Sequence, residues 1–415
     1  MRRTVPRRGR NRTLISERRL HQRGYRQHHN GGVSGRSGRD AVAASAFHDL
    51  TGRSPAGVWV APGRLNLIGD HTDYNDGLVL PVAIDRSAAL AVGLRHDQMI
   101  RCVSLQVSGE HRTRLTEVAP GGVAGWAGCL LGTLWALRAA GVAVPGLDLV
   151  VDSDIPIGGG LSSSAALEVA TAIAVTELTG QGIDLVDLAR CCQKGENAIV
   201  GAPTGIMDQV AVLAGRRGHA VFLDCRTLAH ELVTLEPERA SLALLVLDTA
   251  VRHDNSTPGY RARRQESSRA AAALGVDSLR DATRTAVDTR LEGDLQRRAR
   301  HVVSENDRVA QTVELLRGGR LADIGRLLDQ SHTSLRDDYD VSCAELDLAV
   351  QAARDAGAVG ARMTGAGFGG CAIALTPIDR TEAVAVAVGA AFAAAGHPAP
   401  TVFSAAPADG ARRLS

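Results

Sequence analysis

The sequence has few aromatic residues, a single lysine and no zinc-binding motif. Aromatic residues make up 3% of the 415 residues, so the core has to be built from Ala, Val and Leu, and a surface on which nucleic-acid bases stack is not expected. The single lysine, Lys194, lies in no phosphate-loop motif, which excludes a Walker A nucleotide site. The seven cysteines show no CxxC pair and no Cys/His zinc spacing, which indicates reduced, mostly buried thiols in a cytoplasmic protein.

Long hydrophobic runs are also missing. The longest apolar run, residues 383–396, is short, rich in Ala and interrupted by Gly389. A run of this length cannot cross the hydrocarbon core of a bilayer. It therefore predicts a packed helix and no membrane partner.

The positive charge of the chain is concentrated at its N-terminus. Residues 1–40 contain twelve Arg against Glu17 and Asp40, whereas the formal net charge of the whole chain is only +2. The remaining body is therefore mildly acidic. Residues 1–40 have no apolar periodicity and no apolar segment of a secretory signal, so we predict a disordered basic extension outside the fold. The alternatives for such an arm are an organelle transit peptide and a nucleic-acid-binding segment, and the acidic body with few aromatic residues argues against the second.

The body of the chain has the length of two domains. Helical and strand patterns alternate without regular βαβ units, which favours an α+β fold. Residues 88–95 and 100–107 are predicted to pair as a hairpin, and the strand from residue 58 is predicted to end in a turn at Pro62-Gly63. The segment between the strands at 219–228 and 241–250 is the predicted boundary, giving domains at 41–228 and 229–410.

A glycine loop, PIGGGLSSSAA, lies between an apolar strand and an apolar-periodic helix at residues 156–166. Its glycines let backbone N–H groups approach a polyphosphate, and the following helix adds the positive end of its dipole. The alternative is a flexible Gly/Ser turn that only caps a helix. As an anion site, the loop would hold ATP phosphates through these residues: Gly158, Gly159, Gly160, Leu161, Ser162, Ser163 and Ser164.

Two further segments are rich in candidate site residues. The segment GRLNLIGDHTDYNDG (63–77) combines an arginine, several acids and a histidine directly after a strand, and such carboxylates can accept hydrogen bonds from sugar hydroxyls. The segment GENAIVGAPTGIMDQVAVLAG (195–215) places Glu196 and Asp208 close together in sequence, and Asp208 among apolar residues could orient or deprotonate a hydroxyl. Solvated loop charges and a helix-cap Asp are the structural alternatives.

These segments, together with RMTGAGFGGCAIAL (362–375) and SHTSLRDDYDVSCAELD (331–347), resemble the galactokinase branch of the GHMP kinases, the family of galactokinase, homoserine, mevalonate and phosphomevalonate kinases. The resemblance runs from about Ala41 to Ala405. It implies a two-domain GHMP kinase fold, with an N-terminal ribosomal-protein-S5-domain-2-like domain, a C-terminal ferredoxin-like domain and an active site in the cleft between them. Three departures are visible: Asp70 stands where Glu is commoner, and HDNSTPG precedes Tyr260 where a Ser-rich run is usual. The third is Gln265-Glu266, which stands where an acid-and-cysteine pair often follows the arginine cluster.

The resemblance implies a role for each candidate residue. Asp208 and Arg64 would be catalytic, and an ion pair between them would keep the carboxylate deprotonated. Ser164 and Glu196 would hold Mg²⁺, which accompanies ATP. The residues that would contact the sugar are Arg64, Asp70, His71, Asp73, Asp208 and Tyr260.

The resemblance implies the ATP-dependent phosphorylation of galactose at its anomeric hydroxyl, the first committed step of galactose utilisation, by a cytoplasmic monomer. A related sugar-1-kinase acting on N-acetylgalactosamine or arabinose is the first alternative, and Thr72 argues against N-acetylgalactosamine because those kinases tend to carry Ile there. A non-catalytic galactose sensor is the second alternative. Such sensors have damaged phosphate loops, whereas residues 158–166 and Asp208 are intact.

Overall fold

A computed structural model describes residues 38–123, 125–251 and 258–415 of the chain. Most of the predicted basic extension, residues 1–37, lies outside the described residues, and so does most of the HDNSTPG segment before Tyr260. Arg39 and Asp40, the end of the predicted extension, form the first turn of a helix. Arg39 also makes an ion pair of 2.8 Å with Asp154, which ties this helix to the body of the protein.

Strands and helices occur throughout the described chain. The strands are β1 (Gly57–Asn66), β2 (Leu78–Val79), β3 (Pro81–Arg95), β4 (Met99–Ser104), β5 (Glu110–Arg114), β6 (Gly146–Ser153), β7 (His219–Asp224), β8 (His230–Thr234), β9 (Leu242–Asp248), β10 (Gly360–Thr364), β11 (Cys371–Pro377), β12 (Thr401–Ala405) and β13 (Arg412–Arg413). The α-helices are α1 (Arg39–Thr51), α2 (Trp126–Ala139), α3 (Ser163–Thr179), α4 (Leu185–Gly195), α5 (Met207–Ala214), α6 (Pro258–Leu274), α7 (Arg284–Arg290), α8 (Gly293–Arg317), α9 (Gly325–Asp337), α10 (Ala344–Asp355) and α11 (Thr381–Ala395).

The strands form three sheets. The largest has the order β13-β1-β3-β6-β4-β5, a second has the order β10-β11-β9-β12, and a third has the order β2-β7-β8. Pairing is antiparallel except between β4 and β6, which run parallel. The last strand, β13, pairs with β1, so the C-terminal end of the chain completes the sheet that the N-terminal segments build.

Two predictions about this large sheet are wrong. Residues 88–95 and 100–107 do not pair with each other, because β6 lies between β3 and β4 and pairs with both. Their apolar patterns are those of strands, but β6, the strand that pairs with both, comes from about 50 residues later in the chain. Pro62-Gly63 is not a turn either: β1 continues through it with a bulge, which lets the strand reach Asn66.

Helices cover both faces of the large sheet, which explains why seven of the eight residues of β6 are buried, Asp148 and Asp152 included. On one face, Phe47 of α1 packs against Val58, Ala91 and Val150. On the other face, α2 and α3 supply Leu134 and other residues of the main core. The small side chains of α3 allow this close packing in a protein with few aromatic residues.

The second sheet and helices α6 to α11 form another core around Leu247, Tyr339 and Phe392. The main core also includes Val309 of α8 and Ile373 of β11, so it continues from the N-terminal sheet into the C-terminal segments. The mixture of helices with antiparallel and mixed sheets confirms the α+β prediction. The division into domains at residue 228 stays a prediction.

Two predictions from composition concern cysteines and membranes. Each of the seven cysteines is a thiol outside any disulfide, and five of them are buried, as expected. Among the described residues, no helix has the length and apolar character needed to span a membrane. The apolar run at residues 383–396 forms α11, in which Val384, Val388 and Phe392 are buried.

Candidate active site

The glycine loop lies where β6 leads into α3, as predicted. Gly158 and Gly160 have φ values of +69° and +75°, a region that favours glycine. Ser162 is also left-handed, with φ of 53°, and directly precedes the first residue of α3. The loop packs against the second glycine-rich segment, because a Cβ on Gly365 would lie 2.9 Å from the Gly160 carbonyl oxygen. Two glycine-rich segments, at Gly160 and Gly365, are far apart in sequence and therefore form one wall only in the fold.

Arg64 and Asp208 form an ion pair beside this wall. The Arg64 Nε and Nη2 atoms donate to Asp208 Oδ1 and Oδ2 at 2.8 Å and 2.7 Å, the two-pronged geometry in which Arg holds a carboxylate. Arg64 Nη1 also donates to the Gly160 carbonyl oxygen at 2.6 Å. The Ser162 hydroxyl donates to Asp208, so this predicted phosphate ligand contacts the predicted catalytic carboxylate. The pair is mostly buried, with 6% of the Arg64 and 14% of the Asp208 side chain exposed.

Asp70 has protein partners for both of its carboxylate oxygens. Arg362 Nη2 donates to Oδ2 at 2.6 Å, and the Gly365 N–H donates to Oδ1 at 3.0 Å. Burial raises the pKa of Asp70, while the neighbouring Arg362 and Arg64 guanidinium groups act in the opposite direction. Asp70 therefore links the segment that follows β1 to the β10 region of the C-terminal half.

His71 lies at one end of a chain of hydrogen bonds. Burial lowers its pKa to about 3, so the ring is neutral at pH 7. Its Nε2 lies 3.1 Å from the Ala366 carbonyl oxygen, which can only accept, so Nε2 carries the hydrogen and Nδ1 accepts from the Tyr74 hydroxyl at 2.8 Å. The Tyr74 hydroxyl then accepts from Tyr339, which accepts from Ser267. Both ring nitrogens of His71 are therefore bonded to protein atoms.

Asp73 differs from its neighbours in having few partners. Its carboxylate accepts a backbone hydrogen bond from Tyr74, and among the described residues no side chain hydrogen-bonds to it. Burial, and after it the negative charge of Asp208, raise the pKa of Asp73 to about 7. Gly205 makes room for this carboxylate, since a Cβ there would lie 2.0 Å from Asp73 Oδ2. Asp73 thus keeps acceptor capacity for a ligand.

Tyr260 contributes an aromatic wall from α6. Its ring centroid lies 5.6 Å from that of His71 and 5.5 Å from that of Tyr74. Only 7% of Tyr260 is exposed. The structure therefore brings Tyr260 to the predicted site, although its sequence context departs from the usual pattern.

Glu196 lies behind the glycine loop at the start of a π-helical turn, Glu196–Val200, that follows α4. Burial raises its pKa, and hydrogen bonds from Thr204 and Ser164 oppose that rise. A serine hydroxyl beside a carboxylate is a hard-oxygen donor set that suits Mg²⁺, which keeps waters and phosphate oxygens as its other ligands. Among the described residues no three acidic, His or Cys side chains cluster as a metal cage. Ser164 and Glu196 therefore fit a cation that arrives with a phosphate ligand.

Nearly all of the predicted site residues line one pocket. The lining residues that the sequence predicted are Arg64, Asp70, His71, Asp73, Gly158, Gly160, Leu161, Ser162, Ser163, Ser164, Asp208 and Tyr260. Gly159 and Glu196 do not line it. Its remaining lining residues, which the sequence reasoning missed, are Thr204, Met207, Gly365 and Ala366.

Sequence motifs contained most of the missed pocket residues, but not all of their roles could be inferred from a motif. Thr204 and Met207 flank the predicted Gly205 and Asp208, and Gly365 and Ala366 lie in the glycine-rich motif at 362–375, so their motifs were already recognised. Tyr339 lies in the recognised segment 331–347, but no pattern indicated that it supports His71.

Models of known families match three parts of the chain. They are the GHMP kinases N terminal domain at residues 129–216, the galactokinase galactose-binding signature at residues 45–94 and the GHMP kinases C terminal domain at residues 312–396. A galactokinase of Streptomyces coelicolor is 47% identical over 384 residues, which cover 90% of this chain and 99% of the relative. A galactokinase of Mycobacterium bovis is 43% identical, covering 85% of this chain and 97% of the relative.

The chain belongs to the galactokinase family of GHMP kinases.

Solved structures agree with this membership. The Lactococcus lactis galactokinase complexed with galactose superimposes with a TM-score of 0.86 at 33% identity, covering 90% of this chain and 99% of that one. The Methanococcus jannaschii mevalonate kinase, 17% identical, superimposes with a TM-score of 0.62 over 85% of this chain and 98% of its own, and shows the shared GHMP kinase fold. The resemblance drawn from four sequence motifs and the expected kinase fold are confirmed.

Proposed function

We propose that this chain transfers the γ-phosphoryl group of ATP to the anomeric hydroxyl of galactose, giving galactose 1-phosphate and ADP. The observation that carries the proposal is the Arg64–Asp208 ion pair. It lines one pocket together with the glycine loop and with Asp73, from the galactose-binding signature. A phosphate site and a polyol site therefore meet at a carboxylate and a guanidinium.

The roles of the residues follow from the demands of phosphoryl transfer, which needs positioning and stabilisation of charge. We assign Asp208 to the anomeric hydroxyl, where it orients the oxygen and accepts its proton as the new O–P bond forms and the bond to the ADP oxygen breaks. Arg64 holds Asp208 in place and stabilises the negative charge of the transferring group. The glycine-loop N–H groups and the N-terminus of α3 hold the phosphates of ATP.

Sugar recognition rests mainly on Asp73 in this proposal. Asp70 and His71 already have protein partners for their oxygens and ring nitrogens, whereas Asp73 has acceptor capacity to spare. Asp70 and His71 can add second bonds through remaining lone pairs or shape the pocket wall. Tyr260 offers an apolar face and a hydroxyl to the sugar.

We propose that the divalent cation that a kinase uses with ATP is Mg²⁺, held by Ser164 and Glu196. A bound Mg²⁺ neutralises charge on the phosphates and orients the transferring group. The oxygen-only donor set beside the phosphate loop supports this assignment. Cytoplasmic localisation and a monomeric state stay predictions.

A coupled ADP-release assay tests the substrate. We expect kcat/KM for galactose to exceed that for N-acetylgalactosamine and for arabinose, since no observation favours either alternative. A higher efficiency with another sugar would reassign the acceptor. No ADP release with any sugar, together with intact ATP and galactose binding, would instead indicate a sensor.

Substitution of Asp208 tests the mechanism. Asp208→Ala should lower kcat by about 10²-fold to 10⁴-fold, the usual contribution of a general base, while ATP still binds the glycine loop. Asp187→Asn on α4 is the matched control, because Asp187 is an exposed acid that pairs with Arg190 on the same helix, and it does not line the pocket. Residual activity of the Ala variant above a tenth of wild type would contradict the assignment of Asp208.

A further inference from the structure

Behind Glu196 lies a fully buried pair of side chains that the proposed mechanism does not use. Glu168 of α3 and Gln209 of α5 have no exposed surface. Gln209 Nε2 donates one hydrogen to Glu168 Oε2 and the other to Glu196 Oε2, both at 3.0 Å. The two hydrogens of one amide group therefore connect two buried carboxyl groups.

The remaining oxygens of this pair have no partner. Among the described residues nothing donates to Glu168 Oε1 or to Gln209 Oε1, and both atoms are inaccessible to water. Buried polar atoms without partners are rare, because each loses its hydrogen bonds to solvent. One hydrogen atom on Glu168 Oε1 that points to Gln209 Oε1 would satisfy both, and would close the ring of two hydrogen bonds that a carboxylic acid forms with a carboxamide.

The electrostatic surroundings agree with a neutral Glu168. Burial raises the pKa of Glu168 well above its ordinary value, and the charges of Glu196 and Asp208 act in the same direction. No lysine or arginine lies among the groups that shift it.

Glu196 is held in a way that distinguishes its two oxygens. The Thr204 hydroxyl donates to Oε2 at 2.6 Å, and Gln209 donates to the same oxygen. These two bonds fix the plane of the carboxylate and leave Oε1 outside both of them. Outer hydrogen bonds of this kind commonly orient a carboxylate that binds a metal.

We propose that Glu168 and Gln209 are positioning residues that pair as carboxylic acid and carboxamide and hold Oε2 of Glu196, so that Oε1 is presented to the cation. The inference rests on the proposed role of Glu196 in cation binding. It assigns a function to a buried acid that would otherwise only destabilise an apolar helix interface.

The test measures how Mg²⁺ tightens the binding of a non-hydrolysable ATP analogue, so that it does not depend on turnover. Glu168→Gln keeps the ring, because its carboxamide offers a carbonyl to Gln209 Nε2 and an N–H to Gln209 Oε1. Removal of an outer hydrogen-bond partner commonly lowers metal affinity by about tenfold to 100-fold. We expect the half-saturating Mg²⁺ concentration of Glu168→Gln to rise by much less than that. Glu168→Met leaves the Gln209 amide without this partner and should show a loss within that range.

Two further measurements make the outcome decisive. At a pH well above 7, where Asp73 has lost its proton, the infrared carbonyl band of one protonated carboxylic acid should appear in wild type and disappear in Glu168→Gln. A tenfold or greater loss of Mg²⁺ affinity in Glu168→Gln would overturn the inference, and so would normal affinity in Glu168→Met. If Glu168→Met does not fold, the Gln variant and the infrared band still decide.

Glu196→Gln separates the two claims. If this variant binds Mg²⁺ as wild type does, the proposed cation role of Glu196 fails. If Glu196→Gln is defective while Glu168→Met is normal, only the positioning role of Glu168 and Gln209 fails.

Discussion

Replacing Asp70 by Asn removes the charge that faces Arg362 while keeping the shape of the side chain. Arg362 has no exposed surface, and its Nη1 atom donates to the carbonyl oxygens of Asn66 and Leu67, both at 3.1 Å. Its Nη2 atom depends on Asp70. In the Asn variant, either an amide group would face the guanidinium group or the hydrogen bond from Gly365 would be lost.

The magnitude follows from the burial of the remaining charge. Breaking a buried ion pair by removing one partner costs about 3–5 kcal/mol. Glu305 Oε1 lies 3.9 Å from Arg362 Nη2 and offsets part of the loss, so we expect the lower end, about 3 kcal/mol. With an unfolding entropy of about 2.1 cal/mol/K per residue, a chain of this length loses roughly 1.2 °C per kcal/mol, so the melting temperature should fall by about 3–4 °C.

Asp73→Asn is the matched control, three residues along the same segment. The pKa of Asp73 is raised to about 7 from an ordinary value of 3.8, so the folded state binds this proton more tightly than the unfolded chain does. The contribution of Asp73 to stability is therefore lost as pH rises from about 4 to about 7. Asn removes that loss, so Asp73→Asn should raise the melting temperature at pH 8, and by more than at pH 5.

The assay is thermal unfolding of wild type, Asp70→Asn, Asp73→Asn and the double variant Asp70→Asn/Arg362→Met at pH 5 and pH 8. An apolar residue in place of the stranded guanidinium should restore part of the lost stability. A fall of less than 2 °C in Asp70→Asn at pH 8 would refute the reasoning, because it would mean that Arg362 needs no carboxylate partner there.

Three further predictions concern the substrates and the N-terminus. Since both Asp70 oxygens already accept hydrogen bonds, kcat/KM for galactose should exceed that for 6-deoxygalactose by less than about tenfold. Asp70→Glu should increase this preference for galactose. A preference of about 100-fold in wild type would instead show that Asp70 contacts the sugar directly. Galactose affinity should rise with pH through about 7, as Asp73 loses its proton and becomes a better acceptor, and Asp73→Asn should abolish this dependence in a binding titration. A chain that begins at Gly38 keeps the Arg39–Asp154 ion pair and should match the full chain in kcat and melting temperature, whereas a large loss of either would assign residues 1–37 a role.

The candidate site could be predicted largely because most of its residues lie in short, continuous segments of the sequence. The glycine loop, the segment at 63–77 and the segment at 195–215 each carry their own signal, and the structure brings all three into one pocket. The end of α1 was predictable for the same reason, since Gly52 follows it in the left-handed conformation that glycine favours.

The sequence by itself thus determined the family, the alternation of helices and strands and most of the lining of the pocket. Only the tertiary structure decided which residues became partners across long stretches of chain. Arg362 pairs with Asp70 from 292 residues away, and β6 enters between two strands that looked like a hairpin. Periodicity reports which face of an element is buried, but not which element covers it, because that choice depends on how the whole chain packs.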